Sequence, residues 1–141
     1  MMERGRRIAF DYGDVRIGVA VSDPDSILSS PLTTLKATDK SLVKQIAQIL
    51  AEIDPVAIFV GRPALLSGID GAAAEKALDF VEVLRTITQV PIELIDERMS
   101  TVSAARNLRD AGRNARDSKD AIDMAAAVAI LEFALELEKR K

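Results

Sequence analysis

The chain has 141 residues, and we expect one folded domain spanning residues 1–141 because domains typically contain about 50 to 250 residues. It contains no histidine and no cysteine, which excludes a Ser-His-Asp triad, a thiol nucleophile, a disulfide and a Cys/His zinc site. The formal net charge is −3, from 19 basic and 22 acidic side chains, so the overall balance argues mildly against nonspecific nucleic-acid binding. Carboxylates are the remaining candidates for acid or base catalysis and for binding Mg²⁺ or Mn²⁺.

Segments that would target the chain to a membrane are not evident. Residues 1–7 contain no apolar segment long enough for a signal peptide. No apolar run approaches the roughly 18 residues of a membrane-spanning helix, and the longest one, residues 121–137, is interrupted by three acidic residues. Together with the absence of cysteine, these features predict a cytoplasmic protein.

The first third of the chain has the pattern of β-strands. Residues 6–12 and 15–21 are β-type runs separated by the turn signal Gly13-Asp14, which favours an antiparallel hairpin. A third strand is predicted over residues 27–35. Pro31 interrupts it and favours the edge of a sheet, because proline cannot donate a hydrogen bond to a central ladder.

Helical and strand patterns then alternate. Residues 42–53 carry apolar side chains at helical spacing, with Thr38 or Asp39 available as the N-cap and Pro55 after the last turn. The same reasoning predicts the remaining elements. They begin with a buried strand at 56–60, a glycine-containing loop at 61–71, a helix that carries Ala77, Phe80, Val81, Leu84 and Ile87 on one stripe and stops before Pro91, and a strand at 92–96. They continue with a helix from Ser100 or Thr101 to Asp110, a polar loop to Ser118, and a last helix from about Lys119 to Glu138 with Ile122, Ala126, Ile130, Phe133 and Leu137 on its core face.

The order of these elements predicts an α/β fold. A β-meander followed by right-handed crossovers gives a five-stranded mixed sheet with helices on both faces. This order is compatible with a ribonuclease-H-like sheet. In such sheets the ligand site lies beyond the carboxyl ends of the parallel strands, so acidic residues at those ends are the first candidates for function.

Acidic residues occur at the predicted carboxyl edge. Asp11 ends the first strand, and Asp96 and Glu97 end the strand that begins at residue 92. Asp120 and Asp123 fall in the first turns of the last helix, where the helix dipole favours negative charge. Asp123 also shares a helix face with residues 126, 127 and 130, which must pack against the sheet. A turn aspartate, a strand exit paired with an arginine and a helix-start acid remain the structural alternatives for these positions.

Convergence of Asp11, Glu97 and Asp123 would require a compensating positive charge. Each pair of carboxylates at ~4 Å repels by about 4 kcal/mol at an effective dielectric near 20, so a proton or a divalent cation must bind between them. Two Mg²⁺ ions about 4 Å apart could hold a phosphodiester, activate water and stabilise the leaving oxygen. This chemistry needs no histidine.

One segment of this acidic chain is basic. Residues 98–119 contain six positive and two negative side chains, which leaves a local charge of +4. Such a segment is either a solvated face or a surface that contacts phosphates without reading base sequence. The basic residues are Arg98, Arg106, Arg109, Arg113, Arg116 and Lys119. Gly112 is expected to break the helix and place Arg113 and Arg116 in the following loop.

Five short blocks follow one another along nearly the whole chain. They are Asp11-Tyr12-Gly13 with Arg16-Ile17-Gly18-Val19-Ala20 and Ser22-Asp23; Ser30-Pro31-Leu32; the loop containing Gly61, Pro63, Gly68 and Gly71; Asp96-Glu97-Arg98 with Ser100-Thr101; and Asp123 with Ala126-Ala127 and Ile130-Leu131. In their order and spacing these blocks resemble the YqgF family, the pre-16S rRNA nucleases that are also described as Holliday-junction-resolvase-like.

The resemblance implies a ribonuclease-H-like fold and metal-dependent phosphodiester cleavage in processing the 5′ end of the 16S rRNA precursor. It also implies that Asp11, Glu97 and Asp123 bind Mg²⁺ or Mn²⁺. Strand parity alone does not decide between Asp96 and Glu97, and the resemblance favours Glu97. Asp120 would support the metal ligands. Phosphates of structured nucleic acid would be held by Arg16, Arg98, Arg106, Arg109, Arg113 and Arg116.

Three alternative functions remain open from the sequence. A resolvase of branched DNA would use the same metal site in a homodimer with two sites. A nucleotide-binding protein related to actin-like ATPases would use the hairpin at Asp11 and Gly13, although those proteins clamp nucleotide between two such domains. A noncatalytic module that binds ribosomal precursors or the transcription machinery would not need the acids.

Overall fold

The computed structural model describes residues 3–13, 15–62, 72–96 and 115–140, with side chains described for 3–13, 15–61, 75–96 and 124–140. These ranges contain five strands and three helices. In chain order they are β1 (Arg7–Tyr12), β2 (Arg16–Ser22), β3 (Ser29–Lys36), α1 (Leu42–Ile53), β4 (Ala57–Arg62), α2 (Ala72–Arg85), β5 (Ile92–Asp96) and α3 (Ala115–Lys139).

The strands form one mixed sheet in the order β3-β2-β1-β4-β5. The pairs β1–β2 and β2–β3 are antiparallel, whereas β1–β4 and β4–β5 are parallel. The predicted hairpin and the predicted five-stranded mixed sheet are therefore confirmed. The parallel strands β1, β4 and β5 end at one edge of the sheet, which we call the carboxyl edge.

Strand β3 lies at one side of the sheet, as its proline predicted. Ala20 pairs with Pro31, but the preceding residue Val19 pairs with Thr33. Leu32 is therefore the extra residue of a β-bulge, and it is 39% exposed. The bulge reverses which face the later β3 side chains occupy, because side chains alternate strictly along a regular strand.

Each face of the sheet has its own hydrophobic core. Ile8 and Phe10 of β1 pack on the side of α1 and α2, where Phe10 and Phe80 meet edge to face with ring centroids 5.5 Å apart. Ala9, between them, packs on the opposite side with Ala126 and Ala127 of α3. The first core is rich in aromatic and branched side chains, whereas alanines on both partners let α3 approach the sheet closely. Helices therefore cover both faces, as predicted.

The orientation of α3 is fixed at its carboxyl-terminal end. Nη2 of Arg7, at the start of β1, donates a 3.1 Å hydrogen bond to Oε2 of Glu138. The middle of α3, including Ile130, packs in the same core as Ala9, further along β1. Going backwards along α3 thus leads towards the carboxyl edge. Within the described ranges, none of the helices is long and apolar enough to cross a membrane.

Two predicted helix starts are wrong. The last helix begins at Ala115 rather than near Lys119, so Arg116 lies in a helix and not in the preceding loop. The N-cap of α1 is Ser41 rather than Thr38 or Asp39. The Asp39 carboxylate instead accepts hydrogen bonds from the Ser41 backbone N–H at 2.8 Å and its hydroxyl at 2.7 Å, which orders the turn before the helix.

Other sequence predictions about helices are met or remain untested. Residues 126 and 130 are fully buried on the core face of α3, and residues 133 and 137 pack at its margin. After α1, Asp54 adopts a left-handed conformation with φ of 50° and donates its N–H to Leu50, immediately before Pro55. The Ile122 side chain and the predicted helix at 100–110 lie outside the described residues.

Candidate functional site

Asp11 is a buried acid at the carboxyl edge. Its exposed fraction is 3%. Because side chains alternate along β1, Asp11 lies on the same face as Ala9, the face covered by α3. A carboxylate in such a position is costly unless it is hydrogen-bonded, paired or bound to a cation. This burial favours a specific role over that of an ordinary turn residue.

Glycines flank Asp11 in both neighbouring strands. Asp11 is the register partner of Gly18 in β2. On the other side Phe10 pairs with Val60 of β4, so Gly61 stands at the next level of the ladder. Residues opposite each other in a sheet project from the same face, and neither glycine has a side chain to project there. The Asp11 carboxylate therefore has backbone, rather than side-chain bulk, on both sides.

Asp96 lies at the predicted edge but on the other face. Its register partner is Arg62 at the end of β4. Ile95 belongs to the core under α3, whereas Leu94 packs on the α1 and α2 side. Alternation then places Asp96 on the α1 and α2 side, opposite to Asp11. The register thus places Asp96 and Asp11 on different faces. Alternation within β5 alone could not show this, because it does not relate the faces of β5 to those of β1.

Arg16 lies on the same face as Asp11. It precedes Ile17, which is buried on the α1 and α2 side, and it stands two residues from Gly18, the partner of Asp11. Arg16 is half-buried. Its register partner across β2 and β3 is Lys36, a basic residue that the sequence reasoning did not select because the bulge at Leu32 changes the pairing.

The structure does not describe the side chains of the other predicted site residues. Glu97, Arg98, Arg106, Arg109 and Arg113 lie outside the described residues. Arg116, Asp120 and Asp123 lie on α3, in the part of the helix whose side chains are not described. Among the described side chains no group of three or more acids is close enough to hold a metal. Convergence of Asp11, Glu97 and Asp123 therefore stays a prediction.

Two carboxyl groups elsewhere have lowered pKa values. A hydrogen bond from the Leu28 N–H is the largest cause that lowers the pKa of Asp23, and the N–H groups of Ile27 and Asp25 add to it. Hydrogen bonds from Ser41 lower the pKa of Asp39, and the charge of Lys36 contributes. Asp23 orders the loop between β2 and β3, which lies at the sheet edge opposite to Asp11.

A cleft of about 380 Å³ also lies away from Asp11. It is at the amino ends of β4 and β5, and its lining includes Arg7, Phe59, Glu93 and Glu138. The cleft and the buried acid Asp11 therefore lie at opposite edges of the sheet. We base the candidate site on Asp11, because ligands of open α/β sheets bind at the carboxyl ends of the strands.

Comparison with known proteins identifies the family. A family model described as RuvX, Holliday junction resolvase, matches residues 5–137. The chain belongs to the RuvX family. The RuvX match and the relatives described next confirm the family resemblance drawn from the sequence blocks.

Two curated relatives carry the name "Putative pre-16S rRNA nuclease". The one from Streptomyces coelicolor is 45% identical over 140 residues, which cover 98% of this chain and 84% of that protein. The one from Cutibacterium acnes is 47% identical over 133 residues, which cover 94% of this chain and 82% of that protein. The similarity thus extends over nearly the whole chain.

Solved structures confirm the fold class. RuvC from T. thermophilus, in complex with a Holliday junction substrate, superposes with a TM-score of 0.62 at 16% identity and covers 96% of both chains. The yeast mitochondrial Holliday junction resolvase Ydc2 gives a TM-score of 0.51 at 14% identity, covering 99% of this chain and 82% of that one. The predicted ribonuclease-H-like fold is confirmed by these neighbours.

Proposed function

We propose that this RuvX-family protein is a metal-dependent endonuclease that processes the 5′ end of precursor 16S rRNA in the cytoplasm. The observation that carries the proposal is buried Asp11, flanked by Gly18 and Gly61 on the α3 face of the carboxyl edge. The names of the curated relatives support pre-16S rRNA as the substrate. We assign Asp11, Glu97 and Asp123 as the metal ligands, with Mg²⁺ or Mn²⁺ as the ion.

The length and direction of α3 support Asp123 as a partner of Asp11. From the level of Glu138, α3 extends about 22 Å back to position 123, at about 1.5 Å per residue. Along β1 the distance from Arg7 to Asp11 is about 13 Å, at about 3.3 Å per residue. The helix is therefore long enough to reach the level of Asp11 even when tilted across the strands. Helical spacing puts position 123 in line with Ala126, Ala127 and Ile130, which are fully buried.

The register of β5 supports Glu97 rather than Asp96. Asp96 lies on the face opposite to Asp11. A strand that continued its alternation by one more residue would present the next side chain on the Asp11 face. The family resemblance independently favours Glu97.

The donor set fits a hard divalent cation. Carboxylate oxygens are preferred ligands of Mg²⁺ and Mn²⁺, and the neighbouring strand residues Gly18 and Gly61 carry no side chain on this face. When bound, such an ion supplies an activated water and offsets charge on the phosphodiester. The chain's own contribution is to hold the Asp11 carboxyl group in a buried position at the carboxyl edge and to present Arg16 beside it for hydrogen bonds to a phosphate.

The substitution Asp11→Asn tests the proposal. It removes one anionic ligand while preserving the shape of the side chain. Cleavage of a labelled precursor 16S rRNA fragment in Mg²⁺ should then fall by more than the roughly 10- to 100-fold that changes in outer-shell partners cost. Thermal unfolding should show that the variant remains folded. Titration calorimetry should show that wild-type protein binds Mn²⁺ and that the variant does not.

The matched control is Asp25→Asn, because Asp25 is an exposed acid that pairs with Arg4 at the other end of the sheet. It should cleave and bind Mn²⁺ as the wild type does. Full cleavage by Asp11→Asn, or wild-type cleavage that EDTA leaves unchanged, would refute the metal-site assignment.

A second candidate is a resolvase of branched DNA, which the description of the matching family model favours. The same three acids would act, and symmetric cutting would require two copies of the chain. Assays with the precursor fragment and a four-way DNA junction in parallel separate the two candidates. Cleavage of the junction alone would make the resolvase the leading candidate.

A further inference from the structure

A pair of basic residues stands beside the candidate site, on the side of the edge strand β3. Arg16 of β2 and Lys36 of β3 are directly opposite each other in the antiparallel register. Since Leu35 and Ile17 are buried together on the α1 and α2 side, Arg16 and Lys36 both project from the face that carries Asp11. Lys36 is exposed and Arg16 is half-buried.

We propose that Arg16 and Lys36 together bind the phosphate backbone of the nucleic-acid substrate next to the scissile phosphate. This inference rests on the proposed nuclease function and adds Lys36 to its substrate-binding residues. It also gives the substrate a direction: from Asp11 the backbone runs across β2 towards β3, in addition to any contact with the basic segment at residues 98–119.

Distances along the sheet support this direction. Neighbouring strands are about 4.8 Å apart and each residue advances about 3.4 Å along an antiparallel strand. Lys36 is two strands and two residues away from Asp11, so their Cα atoms are about 12 Å apart on this geometry. A lysine side chain at that distance reaches a phosphate that neighbours the one at Asp11 rather than the reacting group itself.

The pairing of two like charges is itself informative. Like charges directly opposite each other in an antiparallel pair destabilise the sheet. An anion bound between them would be attracted by both charges. Arginine can offer two parallel hydrogen bonds to a phosphate, whereas lysine adds a compact charge on a flexible stem. The two side chains therefore suit a phosphodiester that passes between them.

Asp39 and Asp11 are both described acids near this pair. Oδ1 of Asp39 accepts hydrogen bonds from the Ser41 N–H and hydroxyl at 2.8 and 2.7 Å, and Lys36 lies close enough for its charge to act on Asp39. The two basic and two acidic side chains balance formally, and the divalent cation proposed at Asp11 would make the group positive, which favours an anion. The turn that Asp39 orders also fixes the backbone after Lys36, since the Asp39 N–H donates to the Lys36 carbonyl at 3.1 Å.

The experiment compares Lys36→Gln with Lys44→Gln in the full chain. Lys44 is an exposed lysine on α1, so its substitution removes the same charge from the opposite side of the sheet. The affinity of each protein for the precursor 16S rRNA fragment and for a four-way DNA junction is measured in EDTA over a range of KCl concentrations. Lys36→Arg tests whether positive charge alone restores binding.

K is the association constant for the nucleic acid. We expect Lys36→Gln to make the slope of log K against log salt concentration shallower by about 0.7 to 0.9, the contribution of one phosphate contact. At 0.1 M salt this corresponds to an affinity loss of about five- to eight-fold. Lys44→Gln should bind as the wild type does, and Lys36→Arg should recover most of the loss. Urea unfolding should show little change of stability in Lys36→Gln, because Lys36 is exposed and its removal loses attraction to Asp39 as well as repulsion from Arg16.

The possible failures are distinguishable. If wild-type protein binds nucleic acid and cleaves it in an Asp11-dependent way, but Lys36→Gln behaves as Lys44→Gln, the phosphate-binding pair is refuted and the nuclease proposal stands. If Lys36→Gln weakens binding while Asp11→Asn still cleaves, the pair stands and the metal site is refuted. If wild-type protein binds neither RNA nor junction, both proposals are overturned.

Discussion

The guanidinium of Arg7 and the carboxylate of Glu138 are separated by 131 residues in the chain and by 3.1 Å in space. Arg7 also donates from Nη1 to the Gly5 carbonyl at 2.7 Å and to the Ser26 hydroxyl at 3.1 Å. One side chain thus joins the start of β1, the loop between β2 and β3, and the end of α3. This junction sets the direction of α3 and so brings its first turns towards the carboxyl edge.

Replacing Arg7 by Met should destabilise the fold strongly. The Arg7 side chain is 3% exposed and that of Glu138 is 19% exposed. Removing one partner of a buried ion pair costs about 3 to 5 kcal/mol, and we expect about 2 to 3 kcal/mol for this pair because Glu138 keeps some contact with water. Urea unfolding measures the difference.

The chain contains a matched control for this substitution. Arg4 pairs with Asp25 at 2.9 Å, but these side chains are 73% and 55% exposed. Exposed ion pairs contribute about 0 to 1 kcal/mol, so Arg4→Met should unfold near the wild-type midpoint. Equal effects of the two substitutions would show that the buried junction does not hold α3 in place.

Gly5 should not tolerate a side chain without loss of stability. Its φ of 155° is a backbone conformation that L side chains rarely adopt, and a Cβ atom there would also clash with Cγ1 of Val56. Gly5→Ala should therefore cost about 1 to 3 kcal/mol, the usual cost of overpacking. In the double variant with Val56→Ala, the loss in the free energy of unfolding should be smaller than the sum of the losses in the two single variants. Additive losses in urea unfolding would mean that the backbone, rather than this contact, excludes alanine.

Asp23 should contribute stability that depends on pH. Three backbone N–H groups bind its carboxylate, and the hydrogen bond from Leu28 is the largest cause of its lowered pKa. A carboxyl group with a lower pKa in the folded state stabilises the fold above its unfolded pKa, and this contribution disappears as the pH falls through the folded value. The stability difference between wild type and Asp23→Asn should be constant from pH 7 to 5 and shrink below pH 3.8, the ordinary aspartate value. A difference that does not change down to pH 2 would contradict this account.

The adjacent acids Asp96, the last residue of β5, and Glu97 should differ in function. Asp96 lies on the face opposite to Asp11, so Asp96→Asn should retain most of the cleavage activity. If Glu97 is a metal ligand as proposed, Glu97→Gln should lose activity to the same extent as Asp11→Asn. Cleavage of the precursor fragment in Mg²⁺, together with Mn²⁺ titration of each variant, checks the assignment. Loss of Mn²⁺ binding in Asp96→Asn alone would exchange the roles of the two residues.

Local sequence patterns were enough to predict the strands, the helices of the described regions, the edge position of β3 and the family. Alternation and helical spacing are local properties of the chain, and they were enough to predict a core on each face. The same local signals led to Asp11, and the family resemblance led to Arg16; the structure brings both to one face of the carboxyl edge. They also misplaced the N-cap of α1 and the start of α3, since helix ends depend on which hydrogen bonds form in the folded turn.

The tertiary structure decided the registers between distant strands. The bulge at Leu32 places Lys36 opposite Arg16, and the parallel pairing of β4 with β5 places Asp96 away from Asp11. It also decided the role of Arg7, whose partner Glu138 lies at the other end of the chain. A sequence pattern records which side chains alternate within one strand. Which strand residues stand opposite one another depends on long-range packing, and that choice determines which charges meet at the site.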